Sequence, residues 1–287
     1  MVFLSLIRNF DVRNAIFYIG MSNINTDIME LLDKLAPITL DEMKDIRLMN
    51  RTDTKFVTTK ERLVRLLEMC QGRYFAQLHC GTRIADYKTT YWDTEGHFFF
   101  MQHHNGRAPR QKVRVRTYMD SHDTFLEIKT KDNHGRTKKK RIPVPSQDLR
   151  TAGAQYDKKS GNTYTPDEFI RMLVGRSLDD VKPTVQNRFN RITLVNYAKT
   201  ERLTIDFDIH FHNFETERDD DTDNLVIVEL KRDGNVYSPI LSLLRELRIK
   251  PHGFSKYCIG SCLTNSGLKQ NLFKPKLTDL RRISSQK

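Results

Sequence analysis

The chain has 287 residues, with 48 Lys plus Arg against 36 Asp plus Glu, a formal net charge of +12. That balance calls for an anionic partner, whether nucleic acid, polyphosphate, nucleotide or a membrane surface. Hydrophobic content of 38% and charged content of 29% fit a soluble globular protein, large enough for a sizeable core in one large domain or two small ones.

Two short apolar runs, at 2–7 and 15–19, are split by Arg8, Asp11 and Arg13. Neither approaches the roughly 20 apolar residues of a membrane span. They also lack the single apolar core and cleavage site of a signal peptide. Met21 is an alternative start, which makes residues 1–20 an extension of uncertain origin. No other stretch is long and apolar enough to span a bilayer. Cys70, Cys80, Cys258 and Cys262 form no secreted-type framework. Reduced thiols in a cytoplasmic protein are the simplest expectation.

Residues 27–35 and 41–48 read as short amphipathic helices separated by Pro37. A strand follows at 51–57, with Arg51, Asp53 and Lys55 on one face. Thr58 and Glu61 have capping-box spacing and predict a helix to about Cys70. Residues 73–79, 83–93 and 97–104 read as strands. The stretch 112–131 predicts a hairpin turning at Asp120–Asp123. Side chains alternate along a strand, so Lys112, Arg114, Arg116 and Tyr118 share one face, and Val113 and Val115 take the other. In the second strand Glu127, Lys129 and Lys131 oppose Leu126 and Ile128. Another strand, 135–144, carries Lys138, Lys139 and Lys140.

Residues 152–163 read as a mobile loop. Thr165, Pro166 and Glu168 then mark a helix start. Strands are expected at 184–195, 201–211 and 225–231, and a helix at 238–247. Residues 215–223 read as an acidic loop, and the tail after Lys274 as disordered.

These nine or ten strands alternate charged with apolar side chains. One such face is ordinarily a solvated face; its repetition in strand after strand is what an open sheet does not explain. An antiparallel β-barrel with a polar, basic lumen and helices packed outside does explain it, an α+β class. A lumen lined with Arg and Lys suits a chain of phosphates. A few carboxylates among the cations suggest a divalent metal bridging phosphate and protein.

The series Arg51-x-Asp53-x-Lys55, Tyr91-x-Asp93-Thr94, Lys112-x-Arg114-x-Arg116, Glu127-x-Lys129-x-Lys131, Phe189-x-Arg191, Arg202-x-Thr204-x-Asp206, Glu229-x-Lys231 and Ser255-Lys256-Tyr257 resembles the VTC domain. No single motif is specific, but eight in order are. The resemblance covers residues 40–265, leaving 1–39 as an N-terminal extension and 266–287 as a basic tail. It implies a polyphosphate polymerase of the triphosphate tunnel metalloenzyme (CYTH-like) superfamily. Such an enzyme transfers the γ-phosphate of ATP to a growing polyphosphate chain, with Mn2+ or Mg2+.

By that resemblance Arg114, Arg116, Lys129, Arg191 and Glu229 carry catalysis. Arg51, Lys55, Lys112, Lys131, Lys139, Arg202, Lys231 and Lys256 bind phosphate, and Glu229 and Glu127 are the metal candidates. Its partners are ATP and inorganic polyphosphate, with no specific nucleic acid and no membrane span. Phe189 stands where the family pattern has Tyr, so a hydroxyl contact is absent. A triphosphatase or polyphosphatase using the same lining, and a non-catalytic polyphosphate binder, remain the alternatives. The pairs His103-His104, His210-x-His212 and Cys258-x3-Cys262 are incomplete as zinc sites. No Gly-x4-Gly-Lys-Ser/Thr loop is present. Asp206 and Asp208 are further metal candidates, and Asp206 is equally a partner for a neighbouring Arg.

Overall fold

A computed structural model describes residues 24–43, 46, 51–222, 224–234 and 236–285. The runs expected at 2–7 and 15–19, and half of the helix expected at 41–48 (residues 44, 45, 47 and 48), lie outside the described residues. So does the side chain of Arg51.

A first helix, α1, spans 24–33. It is followed by β1 (Ala36–Ile38), β2 (Arg51–Thr59), α2 (Lys60–Cys70), β3 (Tyr74–Gln77), β4 (Ala85–Asp93), α3 (Phe98–His104), β5 (Arg110–Tyr118), β6 (Thr124–Lys131) and β7 (Thr137–Pro143). Then come β8 (Gln155–Asp157), β9 (Asn162–Tyr164), α4 (Pro166–Val174), β10 (Lys182–Asn196), β11 (Glu201–Asn213), β12 (Arg218–Asp221) and β13 (Leu225–Asp233). The chain closes with α5 (Pro239–Glu246), α6 (Lys256–Thr264) and α7 (Lys274–Ser284). No helix among the described residues is long and apolar enough to cross a membrane.

The main sheet runs β2-β13-β11-β10-β4-β5-β6-β7, and every one of these pairings is antiparallel. The hydrogen-bond ladder does not close, and β2 and β7 are its ends. Lys55 on β2 and Lys139 on β7 nevertheless line the same cavity. The sheet therefore curls into a tunnel of α+β antiparallel architecture.

Apolar side chains pack on the outside of the tunnel, in two main cores. One gathers Leu203, Ile205 and Phe207 of β11 with α1, α2 and α5. The other gathers Ile209 and Phe211 of the same strand with α3, α4, α6 and α7. A bulge at Asp208 hands β11 from one core to the other. The β10–β11 register slips between Arg188 and Asn190, and Asp208 adopts φ 51°, a conformation Asp tolerates better than most residues. Its carboxylate is held by the buried amine of Lys60.

Several local expectations changed. The strand expected at 97–104 is α3. Asp93 at the end of β4 accepts hydrogen bonds from the backbone N–H groups of Phe99 (2.9 Å) and Phe100 (2.9 Å). Those are orphan donors of a helix N-terminus, so this carboxylate favours a helix over continued pairing. The expected capping box at Thr58 is absent. Helix α2 begins at Lys60, whose N–H donates to Asn224 Oδ1 (3.0 Å). At α4 the Thr165–Glu168 box forms as expected.

The tail expected to be disordered contains α7, anchored by buried Leu277 and Leu280. The expected loop at 152–163 holds the β8–β9 hairpin. The acidic loop contains β12, whose residues are exposed.

Helix α6 crosses β11 at Gly260. A Cβ at that position would overlap the Phe211 ring, which is buried and has little room to yield. Gly260→Ala is expected to destabilise the protein by about 1–3 kcal/mol, the usual range for overpacking. Thermal unfolding measures this, and an unchanged midpoint would show a loose contact between α6 and β11.

Candidate active site

The tunnel encloses a cavity of about 780 Å3, lined by twelve Lys and Arg side chains and four Asp and Glu. That excess of positive charge makes the empty site costly and favours a polyanion. Strand alternation delivers the lining. On β5, Val113 and Val115 go to the outer core, and Lys112, Arg114, Arg116 and Tyr118 go to the lumen.

Three carboxylates organise the cations, each shared between two. Glu127 is fully buried beneath the lining. Its Oε2 accepts from Arg114 Nε (2.9 Å) and an Arg114 terminal nitrogen (2.6 Å). Its Oε1 accepts from Lys139 Nζ (2.9 Å). Asp206 accepts a two-pronged contact from Arg191 (2.6 and 2.8 Å) and a further bond from Lys256. Glu229 bridges Lys55 Nζ (2.9 Å) and Lys231 Nζ (3.1 Å).

Burial alone would raise these acids. Arg114, Arg116 and Lys139 hold Glu127 well below the usual carboxylate range instead. Arg191 and Lys256 do the same for Asp206, and Lys231 and Lys55 for Glu229.

Aromatic rings complete the wall. Tyr87 stacks on Phe189 with centroids 5.2 Å apart. The Arg191 guanidinium lies 4.8 Å from the Tyr87 centroid, and that of Arg116 lies 5.5 Å from it. Arg116 also donates to Thr89 Oγ1 (3.2 Å). Lys256 Nζ sits 3.9 Å over Phe189. These contacts fix guanidinium planes before any ligand arrives. Lys112 Nζ donates to Ser255 Oγ (2.8 Å), joining β5 to the residue before α6.

The cavity gathers Lys55, Lys112, Arg114, Arg116, Lys129, Lys139, Arg191, Arg202, Glu229, Lys231 and Lys256. Lys131 is not part of that lining. It pairs in register with Arg110, one alternation beyond the Lys112–Lys129 pair. Lys138 and Lys140 flank Lys139 on β7 and are exposed. Sequence reasoning did not single out Arg141 or Tyr87, both of which line the tunnel. Their signal was parity with Lys139 and Tyr91. Asp206 takes the second of its two expected roles, pairing with Arg191.

No three His, Cys, Asp or Glu side chains converge as a preformed metal cage among the described residues. A divalent ion held mainly by substrate phosphates needs only one or two carboxylates. Glu229 fits that role because it faces the cavity, whereas Glu127 is fully buried behind the lining. Both oxygens of each carboxylate are engaged by cations, so a metal at Glu229 would displace Lys55 or Lys231.

The VTC domain family model matches residues 50–265, well over half of the sequence. The chain belongs to the VTC domain family. Membership places it among the tunnel proteins associated with triphosphate and polyphosphate. A search of curated proteins found no match. Among solved structures, a candidate adenylate cyclase from Bacillus halodurans is 14% identical, with a TM-score of 0.45, covering 72% of this chain and 96% of its own. A candidate adenylyl cyclase from Hippeastrum, described as having dominant triphosphatase activity, is 12% identical, with a TM-score of 0.44, covering 78% and 99%. These likenesses are too loose to bear on function.

Burial, and then the Arg114 charge, push the Lys129 ammonium down to about 8. Burial and Arg191 bring Lys231 to about 8 against the pull of Glu229. A bound polyanion favours the charged form and restores both toward the ordinary lysine range. Binding to this VTC domain then takes up protons, and affinity drops as pH rises above about 8. Tripolyphosphate is expected to bind about tenfold or more weaker at pH 9.5 than at pH 7. Calorimetry at constant ionic strength measures it. Lys129→Arg, which stays charged, is expected to flatten the slope, and comparison with it cancels the ligand's own titration. An identical slope in the variant would remove Lys129 as the source.

Proposed function

We propose that this VTC domain is a polyphosphate polymerase that moves the γ-phosphoryl group of ATP onto the end of a polyphosphate chain inside the tunnel. The observation that carries this reading is the cation-rich cavity, whose Arg114 and Arg191 guanidiniums are held by buried carboxylates. Phosphoryl transfer needs positioning and charge neutralisation more than covalent chemistry. Here both are supplied before substrate binds.

In the transfer, a terminal oxygen of the acceptor chain attacks the γ-phosphorus. A new P–O bond forms, the bond to the β-phosphate bridging oxygen breaks, and ADP leaves with that oxygen. Arg114, Arg116 and Arg191 stabilise charge on the transferring group. Lys129, with no carboxylate partner at ion-pair distance among the described residues, binds phosphate without first breaking a salt bridge. Lys55, Lys112, Lys139, Arg202, Lys231 and Lys256 hold the rest of the two polyanions. Lys131 extends that set beyond the cavity lining, and Arg51 remains a phosphate-binding residue on the family resemblance alone.

Mn2+ or Mg2+, bound through Glu229 and the phosphates, would neutralise developing charge and orient the leaving group. Glu127 acts by holding Arg114 in place. Four free thiols and dependence on ATP suit a cytoplasmic setting.

The test incubates the protein with ATP and Mn2+, with and without a short polyphosphate primer. The polymer is resolved on gels while ADP and free phosphate are followed. Long polymer formed in step with ADP is expected. Arg114→Ala is expected to cut the rate by about 100-fold or more, as removal of a transition-state charge contact does. Glu229→Gln is expected to lower metal-dependent turnover while leaving polyphosphate binding in place. Free phosphate without polymer would replace the polymerase with a phosphohydrolase. Tight binding without turnover would replace it with a polyphosphate receptor.

A further inference from the structure

A second cavity, of about 660 Å3, lies on the outer surface where α3, the start of β5 and the end of α4 meet. Its lining includes Phe98, Phe99, Arg107, Arg110, Gln111 and Arg176, and no carboxylate. Two of the three arginines are held in place. The Arg176 guanidinium lies 4.2 Å from the Phe98 ring centroid. Arg110 donates to the Arg107 carbonyl oxygen (3.2 Å). Phe98 is 39% exposed, so its ring is a partly open platform beneath a cation.

Solvated surface arginines usually sit near carboxylates or move freely. Prepositioned guanidiniums with no carboxylate in the lining suit an anion, and their planar forks match phosphate oxygens. Asp180, which attracts Arg176, lies outside that lining.

The groove is continuous in sequence and register with the tunnel. Arg110 lines the groove, and Lys112, two residues on, lines the tunnel. On the neighbouring strand Lys131 pairs with Arg110, and Lys129 pairs with Lys112. Strand alternation puts Arg110 on the same face as Lys112, one step nearer the tunnel's end. Basic side chains therefore run from the lumen, over the rim at Arg110 and Lys131, and onto the outer surface.

We infer that this groove binds the part of a long polyphosphate chain that protrudes from the tunnel. The inference rests on the polyphosphate reading of the tunnel and extends it to chain length. Short chains are satisfied by the lumen. Long chains gain the contacts of Arg107, Arg110 and Arg176, and the groove gives them higher affinity.

The test compares tripolyphosphate with long-chain polyphosphate, binding each to the wild type and to the double variant Arg107→Ala/Arg176→Ala. Neither substituted residue touches the lumen. Long-chain affinity is expected to fall about tenfold on loss of two charge-assisted contacts, with tripolyphosphate affinity unchanged. The salt dependence of long-chain binding is expected to become shallower. Thermal unfolding checks that the variant is folded, and Arg107→Glu is expected to give a larger long-chain loss at one position.

Long-chain affinity equal to wild type would overturn the groove. Equal losses for both ligands would overturn it too, since the effect would then lie in the lumen or the fold. Failure of wild-type protein to bind tripolyphosphate would instead overturn the tunnel reading, and the continuous track with it. Binding is measured without turnover, so the groove stands or falls independently of polymerase activity.

Discussion

Mutual repulsion of like charges is the constraint that shapes this molecule. Twelve Lys and Arg side chains face one cavity, and without internal compensation they would push its walls apart. Three carboxylates prevent this, and each is shared by two cations from different places in the fold. Glu127 ties β5 to β7 through Arg114 and Lys139. Asp206 ties β10 to α6 through Arg191 and Lys256. Glu229 ties β2 to its own strand, β13, through Lys55 and Lys231. Each group of three keeps one net positive charge, so the wall stays together and stays attractive to anions. Stripping a carboxylate from such a group exposes buried cations without a partner, which is far more damaging than loss of a surface pair.

The helices follow from the same arrangement. A sheet that turns its polar face inward must bury its apolar face outside, and two helical cores do so. The Asp208 bulge lets one strand serve both. Helix α6 brings Lys256 to Asp206 from beyond the sheet. Its next residue, Tyr257, donates to Asp93, the same carboxylate that organises the start of α3. The outer helices and the lumen are thus joined at adjacent positions.

Much of this was legible in the sequence because alternation is local. Lys112 to Tyr118 and Leu203 to Phe211 declare two faces without help from distant residues. The places that misled are those where a distant group decides. Three consecutive phenylalanines at 98–100 have strand-like propensity, but Asp93 caps their backbone and favours a helix. Asn224 caps α2 from 164 residues away, so the Thr58–Glu61 spacing signalled a helix but not its start. The Asp208 bulge was hidden because the polar–apolar alternation runs through it unbroken. In the tail, Leu277 and Leu280 had helical spacing, but the surrounding charges dominated the reading. Within the site, the cations were legible from parity. Their pairing was not, since parity places side chains on a face and does not say which carboxylate each one meets.

A lumen with many similar cations on several walls has a consequence for movement. When a uniform polyanion advances by one unit, each phosphate gives up one ammonium or guanidinium and meets another of the same kind. The total attraction is large, yet the change along the path is small. Firm grip and low friction then coexist, as they do for ions passing through a row of equivalent sites. The Glu127, Asp206 and Glu229 groups act on this view as a corrugation shallow enough for a chain to slip across.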